Sequence, residues 1–162
     1  MATTAKPIPD GYHTVTPLIV VRDGTKALEF YQRAFGATNV RSVPTSDGKK
    51  VLHAEFNIGD SRIMLMDEMP EMGPGPGSPQ SLGGTSCNLH IYTKDVDAAW
   101  KKALDAGAKV SMPLADQFWG DRYGKLKDPF GHEWSLATHI EDPTQEEMKK
   151  RMEAMASQMA RK

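Results

Sequence analysis

The sequence predicts an α+β fold of two tandem βαβββ modules followed by a C-terminal helix, and three observations predict it. The chain repeats itself: residues 18–37 read LIVVRDGTKALEFYQRAFGA and residues 90–108 read HIYTKDVDAAWKKALDAGA. Asp23 and Ala27 align with Asp95 and Ala99 at an offset of 72, and Gly36 and Ala37 with Gly107 and Ala108 at an offset of 71. Such a period marks a duplicated supersecondary unit. Within each copy an apolar run leads into residues at helical spacing and then into short strand-like runs. Between the copies, residues 69–86 are rich in Pro and Gly, which suit neither a helix nor a central strand. The expected layout is an arm (1–13), a first module (14–68), a linker (69–86), a second module (87–140) and a terminal helical segment (141–162), all within one structural domain.

The elements follow in order. Val15 to Val21 is β-branched and apolar, as a strand requires. Asp23 stands at a helix N-cap, and Ala27, Leu28, Tyr31, Ala34 and Phe35 fall on one helical face. Gly36 stops that helix. Val40 to Val43 is a short strand, and Ser46-Asp47-Gly48 turns into the next. Along Val51 to Ile58, Leu52, Ala54, Phe56 and Ile58 are expected on one face and His53, Glu55 and Asn57 on the other. Gly59-Asp60 turns into a strand over Arg62 to Asp67. The second copy repeats this order: a strand over Asn88 to Thr93, a cap at Asp95, a helix carrying Ala99, Trp100, Ala103 and Leu104, and a stop at Gly107. Strands over Lys109 to Pro113, Arg122 to Lys127 and Glu133 to His139 follow, with a turn at Asp128-Pro129-Phe130-Gly131. Asp142, Pro143 and Gln145 then fit N-cap, N1 and N3 of a last helix. Its Met148, Met152, Met155 and Met159 form a narrow apolar stripe, suited either to its own domain or to a second subunit.

Composition excludes several classes. Twenty basic and 21 acidic residues leave a net charge of -1, which argues against a general nucleic-acid binder. No apolar run approaches the roughly 20 residues that span a bilayer, and residues 1–10 lack the apolar segment of a secretory signal. A cytoplasmic location is the default expectation. Cys87, the single cysteine, precedes an apolar strand and reads as a buried, inert thiol. No serine or cysteine sits in a nucleophile motif. No Gly-rich loop has phosphate-binding spacing.

The richest local cluster is Phe118-Trp119-Gly120-Asp121-Arg122-Tyr123. Flat apolar surface beside a fixed cation can grip an aromatic or anionic small molecule, and Arg122 is the natural fork for a carboxylate. The alternative is a loop-internal ion pair with the aromatics in the core. Strand alternation lets Asn88 share a face with His90, and Glu133 with Ser135 and His139. His139, near Glu141 and Asp142, reads either as a general base or as a tie for the terminal helix.

The βαβββ repeat, Phe30-Tyr31, Phe35-Gly36-Ala37, Asp95-Val96-Asp97 and Asp128-Pro129-Phe130-Gly131 together resemble the vicinal oxygen chelate superfamily of glyoxalases, bleomycin-resistance proteins and extradiol dioxygenases. His53-Ala54-Glu55, Gly83-Gly84-Thr85, the segment Gln117 to Gly124 and the segment Thr138 to Asp142 look closer still to its PhnB-like branch. The resemblance covers about residues 12–140. It implies two curved mixed sheets around a cleft, a divalent metal (Zn, Ni, Fe or Mn) held there by His, Glu or Gln in enzymatic members, and assembly within one chain or across a homodimer. The family's ligand positions carry over to Thr16, Asn88, Ser135 and Ile63, or Met64 if the register slips by one. None is a strong ligand, and a catalytic centre needs three or four. The expectation is therefore a cleft without the usual metal, binding a small planar or anionic molecule and lined by His53, Glu55, Asn88, His90, Trp119, Asp121, Arg122, Tyr123, Glu133, Ser135 and His139. Two alternatives stand beside it: a metal-dependent lyase, isomerase or dioxygenase with ligands relocated to His53, His90 and Glu133, and a dimeric structural or regulatory protein working through its Met-striped helix.

Overall fold

Two four-stranded mixed sheets enclose one apolar core, and the duplication is visible in their wiring. The computed structural model describes residues 5–159. The first module runs β1 (Leu18–Val21), α1 (Gly24–Phe35), β2 (Thr38–Pro44), β3 (Val51–Ile58) and β4 (Ser61–Asp67). Its sheet order is β1-β4-β3-β2, with β1 and β4 parallel and the rest antiparallel. After a helical turn α2 (Pro79–Leu82), the second module runs β5 (Asn88–Tyr92), α3 (Val96–Ala106), β6 (Lys109–Asp116), β7 (Asp121–Lys127) and β8 (Glu133–His139), in the order β5-β8-β7-β6. Helix α4 (Gln145–Met159) closes the chain. No helix among the described residues is long and apolar enough to cross a membrane.

The repeat is exact enough to reuse its caps. Asp23 accepts from the Lys26 amide and Asp95 from the Ala98 amide, each satisfying an N-terminal orphan donor. Both helices stop at a glycine, Gly36 and Gly107, in the left-handed region, where a side chain would strain the backbone. The end of the last strand also reaches back to its own helix. Asp67 accepts from the Gly24 amide at 2.7 Å, and Thr138, its counterpart, accepts from the Val96 amide at 2.9 Å.

Helices α1 and α3 pack on one another between the sheets. Tyr31, Phe30 and Phe56 of the first module meet Trp134, Leu136 and Phe130 of the second in one continuous core. The two modules of a single chain therefore join through apolar packing. The opposite faces of the two sheets, which carry His53 and Glu55 in the first module and His90 and Tyr123 in the second, point away from that junction.

Several elements depart from expectation for local reasons. Leu52 is exposed and Val51 takes the core position, because an irregularity in the β2–β3 pairing pairs Val43 with His53 and Pro44 with Val51. The strand expected from Val15 begins at Leu18, after Pro17, which has no N–H to donate. Strand β6 continues to Asp116 past Pro113, which an irregular edge-strand pairing tolerates. Cys87 is exposed rather than buried; it sits in the turn before β5, its amide donating to Thr85. The linker is more ordered than its composition suggests: Ser78 and Pro79 are buried, and Glu68 gathers the Ser78 amide, the Ser81 hydroxyl and the Arg22 guanidinium. These hydrogen bonds, Ser81 foremost, hold the Glu68 carboxyl down at about 2. Helix α4 is capped by Thr144 and Glu147 in a reciprocal box rather than by Asp142. Its Met152 and Met155 are exposed, and the Met159 side chain lies outside the described residues.

Candidate functional site

The outward face of the second sheet gathers most of the candidate residues. Pairing sets His90 beside Ser135 and Tyr92 beside Ala137, and β7 adds Tyr123, Lys125 and Asp121 opposite Ala137, Ser135 and His139. Alternation puts these side chains on one face, with Asn88 and Glu133 at its far end. Ser135 is wholly buried beneath them. Asn88 donates to its hydroxyl at 2.8 Å, and that hydroxyl lies 2.7 Å from His90 Nδ1. Burial holds His90 below the ordinary imidazole value, outweighing the Asp121 charge, so the ring is neutral near pH 7. The proton assignment that satisfies every partner has Ser135 donating to Nδ1, which leaves Nε2–H free as a donor. The ring stacks on Tyr123 at 5.8 Å and meets the edge of Tyr92 at 4.4 Å. Ser135 is too enclosed to act as a nucleophile; it orients the imidazole.

Asp121 is the second hub. It is 4 % exposed and accepts from Trp119 Nε1 at 2.9 Å, from the Tyr92 hydroxyl at 3.1 Å and from His139 Nδ1 at 2.7 Å. Burial pushes its carboxyl up, but the hydrogen bonds from His139, Trp119 and Tyr92 together bring it below the usual range. His139 also pairs with Asp142 through Nε2 at 3.0 Å. A shallow hollow of about 640 Å³ opens beside Tyr92 and His139.

His139 lies between two carboxylates and is raised above the ordinary imidazole value, by Asp121 first and Asp142 second. A raised folded-state value means that the ion pairs stabilise fully below about pH 6.5, the unfolded value, and that this contribution fades as pH rises through the folded value. The His139 ring signals in an NMR titration should therefore have their midpoint above 6.5, and Asp142→Asn should move it down. A midpoint at or below that of a free histidine would refute the pairing.

Three predicted residues are not gathered with this group. Arg122 points to the opposite face, where it forks onto Asp97 at 2.8 Å and reaches Asp116 at 2.9 Å. Its charge is thus spent on α3 and β6. His53 and Glu55 lie on the outward face of the first sheet, with Glu55 beside Arg62 and Tyr12. Two residues that join the second face, Tyr92 and Lys125, were absent from the expected lining; counting two onward from His90 and from Tyr123 would have found both. A larger hollow of about 690 Å³, lined by Leu52, Met66, Met69 and Met72, opens under the Pro/Gly linker on the first module. Its only sequence signal is the run of methionines.

The comparisons with known proteins agree with this architecture. The model of the glyoxalase/bleomycin resistance protein/dioxygenase superfamily matches residues 12–136. The chain belongs to that superfamily. An uncharacterized protein of Mycobacterium tuberculosis, Rv0887c, is 43% identical over 145 residues, covering 89% of this chain and 83% of that protein. The solved structure of the Arabidopsis thaliana gene product AT5G48480 is 31% identical with a TM-score of 0.61, covering 78% of this chain and 98% of that one. FosX, the fosfomycin resistance protein of Listeria monocytogenes solved with Mn(II) and sulfate, has a TM-score of 0.58 at 19% identity, covering 83% of this chain and 95% of that one, and shows the fold alone.

Superfamily members often hold a divalent metal, and the structure decides which residues occupy the equivalent positions here. Leu18 pairs with Met64 as His90 pairs with Ser135, so Met64, not the core residue Ile63, is the counterpart of Ser135. The set is therefore Thr16, Met64, Asn88 and Ser135. A hydroxyl, a thioether, an amide and a second hydroxyl do not fit a centre that takes imidazole and carboxylate, and Asn88 and Ser135 already satisfy one another. Among the described residues no three His, Cys, Asp or Glu side chains lie together as a metal site. Within one chain, His53 stands on β3 of the first module while His90 and Glu133 stand on β5 and β8 of the second.

Proposed function

We propose that this superfamily member is a binding protein for a small planar, anionic molecule, held on the outward face of the second sheet without the family's usual metal centre. The observation that carries this reading is the His90 constellation: a neutral imidazole with a free Nε2–H, fixed by Ser135 and flanked by Tyr92 and Tyr123. Flat aromatic walls suit a planar ligand. The Nε2–H, with the Lys125 ammonium on the same face, suits a carboxylate or a similar oxyanion.

The working unit is a cytoplasmic homodimer. Each outward face is open on one side, and β1 and β5 are edge strands with unpaired backbone. Leu18, Tyr92, Val43 and Val110 are exposed on or near these sheets. Unpaired edges and exposed apolar side chains are what a second copy covers.

The test is a thermal-shift and calorimetric screen of flat aromatic carboxylates, with metal content measured by elemental analysis. A site-specific ligand must stabilise the native state. The expected result is stabilisation of the wild type and at least about tenfold weaker binding for His90→Ala, a loss of roughly 1.4 kcal/mol. Sedimentation should give twice the chain mass. Stoichiometric metal, or a panel that shifts nothing, would overturn the reading.

A further inference from the structure

The outward face of the first sheet carries a different constellation, and part of this chain already occupies it. The N-terminal arm crosses the face at Gly11 and Tyr12. The Tyr12 hydroxyl donates to Glu55 Oε2, and the Arg62 guanidinium lies over the Tyr12 ring, 4.5 Å from its centroid. Arg62 Nη1 stands 3.4 Å from Glu55 Oε1, which keeps the two charges in register. Arg41 approaches the same carboxylate at 4.0 Å. Gly11 has φ +81°, and a Cβ there would come within 3.2 Å of Arg62 Nη2. The arm backbone thus rests directly on the guanidinium.

These are the elements that recognise a phenol. A carboxylate takes the O–H as a charge-assisted hydrogen bond, and a guanidinium above the ring gains from its negative face. The fit of Tyr12 is nonetheless incomplete. Arg62 Nε and Asn57 Oδ1, on cross-strand partner residues of β4 and β3, are buried without a hydrogen-bond partner among the described residues. Buried polar groups are normally satisfied. One unused donor and one unused acceptor in the same cluster are capacity that Tyr12 does not use.

We propose that the Glu55–Arg62–Asn57 cluster is a second binding site, for a phenol that bears a further hydrogen-bonding group, and that Tyr12 occupies it as an internal ligand. A free ligand displaces the arm and satisfies the atoms that Tyr12 leaves unpaired. The arm sets the apparent affinity: if it fills the site for about nine-tenths of the time, a competitor binds about tenfold more weakly than to the empty site. This site stands on first-module residues and does not depend on the reading of the His90 face.

The experiment titrates the full chain with p-cresol, the side-chain analogue of tyrosine, and with toluene as the control without a hydroxyl, followed by calorimetry and NMR. Tyr12→Ala should bind p-cresol at least about tenfold more tightly than the wild type, with shifts centred on Glu55 and Arg62. Toluene should bind neither form there. Tyr12→Phe, which keeps the ring and loses the hydroxyl, should fall between the two. Adding Glu55→Gln to Tyr12→Ala should abolish the gain, and adding His90→Ala should leave it intact. Circular dichroism of each variant confirms the fold. Equal p-cresol binding by wild type and Tyr12→Ala, binding that survives Glu55→Gln, or binding lost with His90→Ala would each overturn the proposal.

Discussion

Asp128→Ala is expected to unfold the protein at temperatures where the wild type is stable. Asp128 is 4 % exposed and satisfies four buried donors from two modules. Its Oδ1 accepts from the Phe130 and His132 amides, both at 2.9 Å, which shapes the Asp128-Pro129-Phe130-Gly131 turn. Its Oδ2 accepts from Trp134 Nε1 at 2.9 Å and from the Tyr31 hydroxyl at 2.8 Å. Tyr31 belongs to α1, so this one carboxylate fastens the first module to the second. Burial, then the Asp128 charge and hydrogen bond, pushes the Tyr31 phenol well above its ordinary value; the proton that bridges the modules is held tightly. Each buried donor left without a partner costs about 1–3 kcal/mol, so four cost on the order of the whole stability of a domain, about 5–15 kcal/mol. Urea denaturation should rank the variants with Asp128→Ala lowest, Asp128→Asn above it and Tyr31→Phe closest to the wild type. Tyr31→Phe removes one hydrogen bond, about 1 kcal/mol. An Asp128→Ala protein within about 1 kcal/mol of the wild type would show that water or a neighbour replaces the carboxylate.

Gly120→Ala should cost stability and ligand binding together. Gly120 has φ +100°, and a Cβ there would collide with the Glu141 carbonyl oxygen and lie 2.8 Å from Pro143 Cδ. The backbone cannot simply step aside, because the Gly120 carbonyl itself accepts from the Ile140 amide at 2.9 Å and the Glu141 amide at 3.1 Å. The methyl group must break this staple, which stands between Trp119 and Asp121 on one side and His139 and Asp142 on the other. The left-handed strain alone is about 1–2 kcal/mol, and the collision adds to it, for a total of about 3 kcal/mol or more. Gly48→Ala separates the two terms: Gly48 has φ +71° with open space around it, so it should show the strain alone. If both variants lost equal stability, the close approach at Gly120 would carry no energy.

Much of the fold was legible because the information is local. Asp23, Gly36, Asp95 and Gly107 act through backbone groups three to five residues away, so their spacing alone marks two helices. Ala54 and Phe56 alternate with Glu55 because strand geometry demands it. Leu52 was misplaced for the opposite reason: the pairing irregularity that exposes it arises between β2 and β3 and leaves no mark on β3 itself. Cys87 is exposed against expectation because an apolar neighbour in sequence is not a covering neighbour in space. His90, Ser135 and His139 share a sheet face through strand alternation, and the β7–β8 pairing sets Asp121 and Tyr123 on the same face. Arg122 does not join them, because its face of the strand looks onto Asp97 of α3, whose proximity is a matter of helix packing.

The sequence by itself determined the two βαβββ units and the caps and turns of their helices and strands, since each of these depends on residue type and short-range spacing. Only the tertiary structure decided how the units meet. Tyr31 lies far along the chain from Asp128 and Trp134, and their packing joins the halves through one shared core and turns the opposite face of each sheet outward. Such contacts depend on which apolar faces bury one another, and a duplicated pattern that offers the same faces twice does not choose between them.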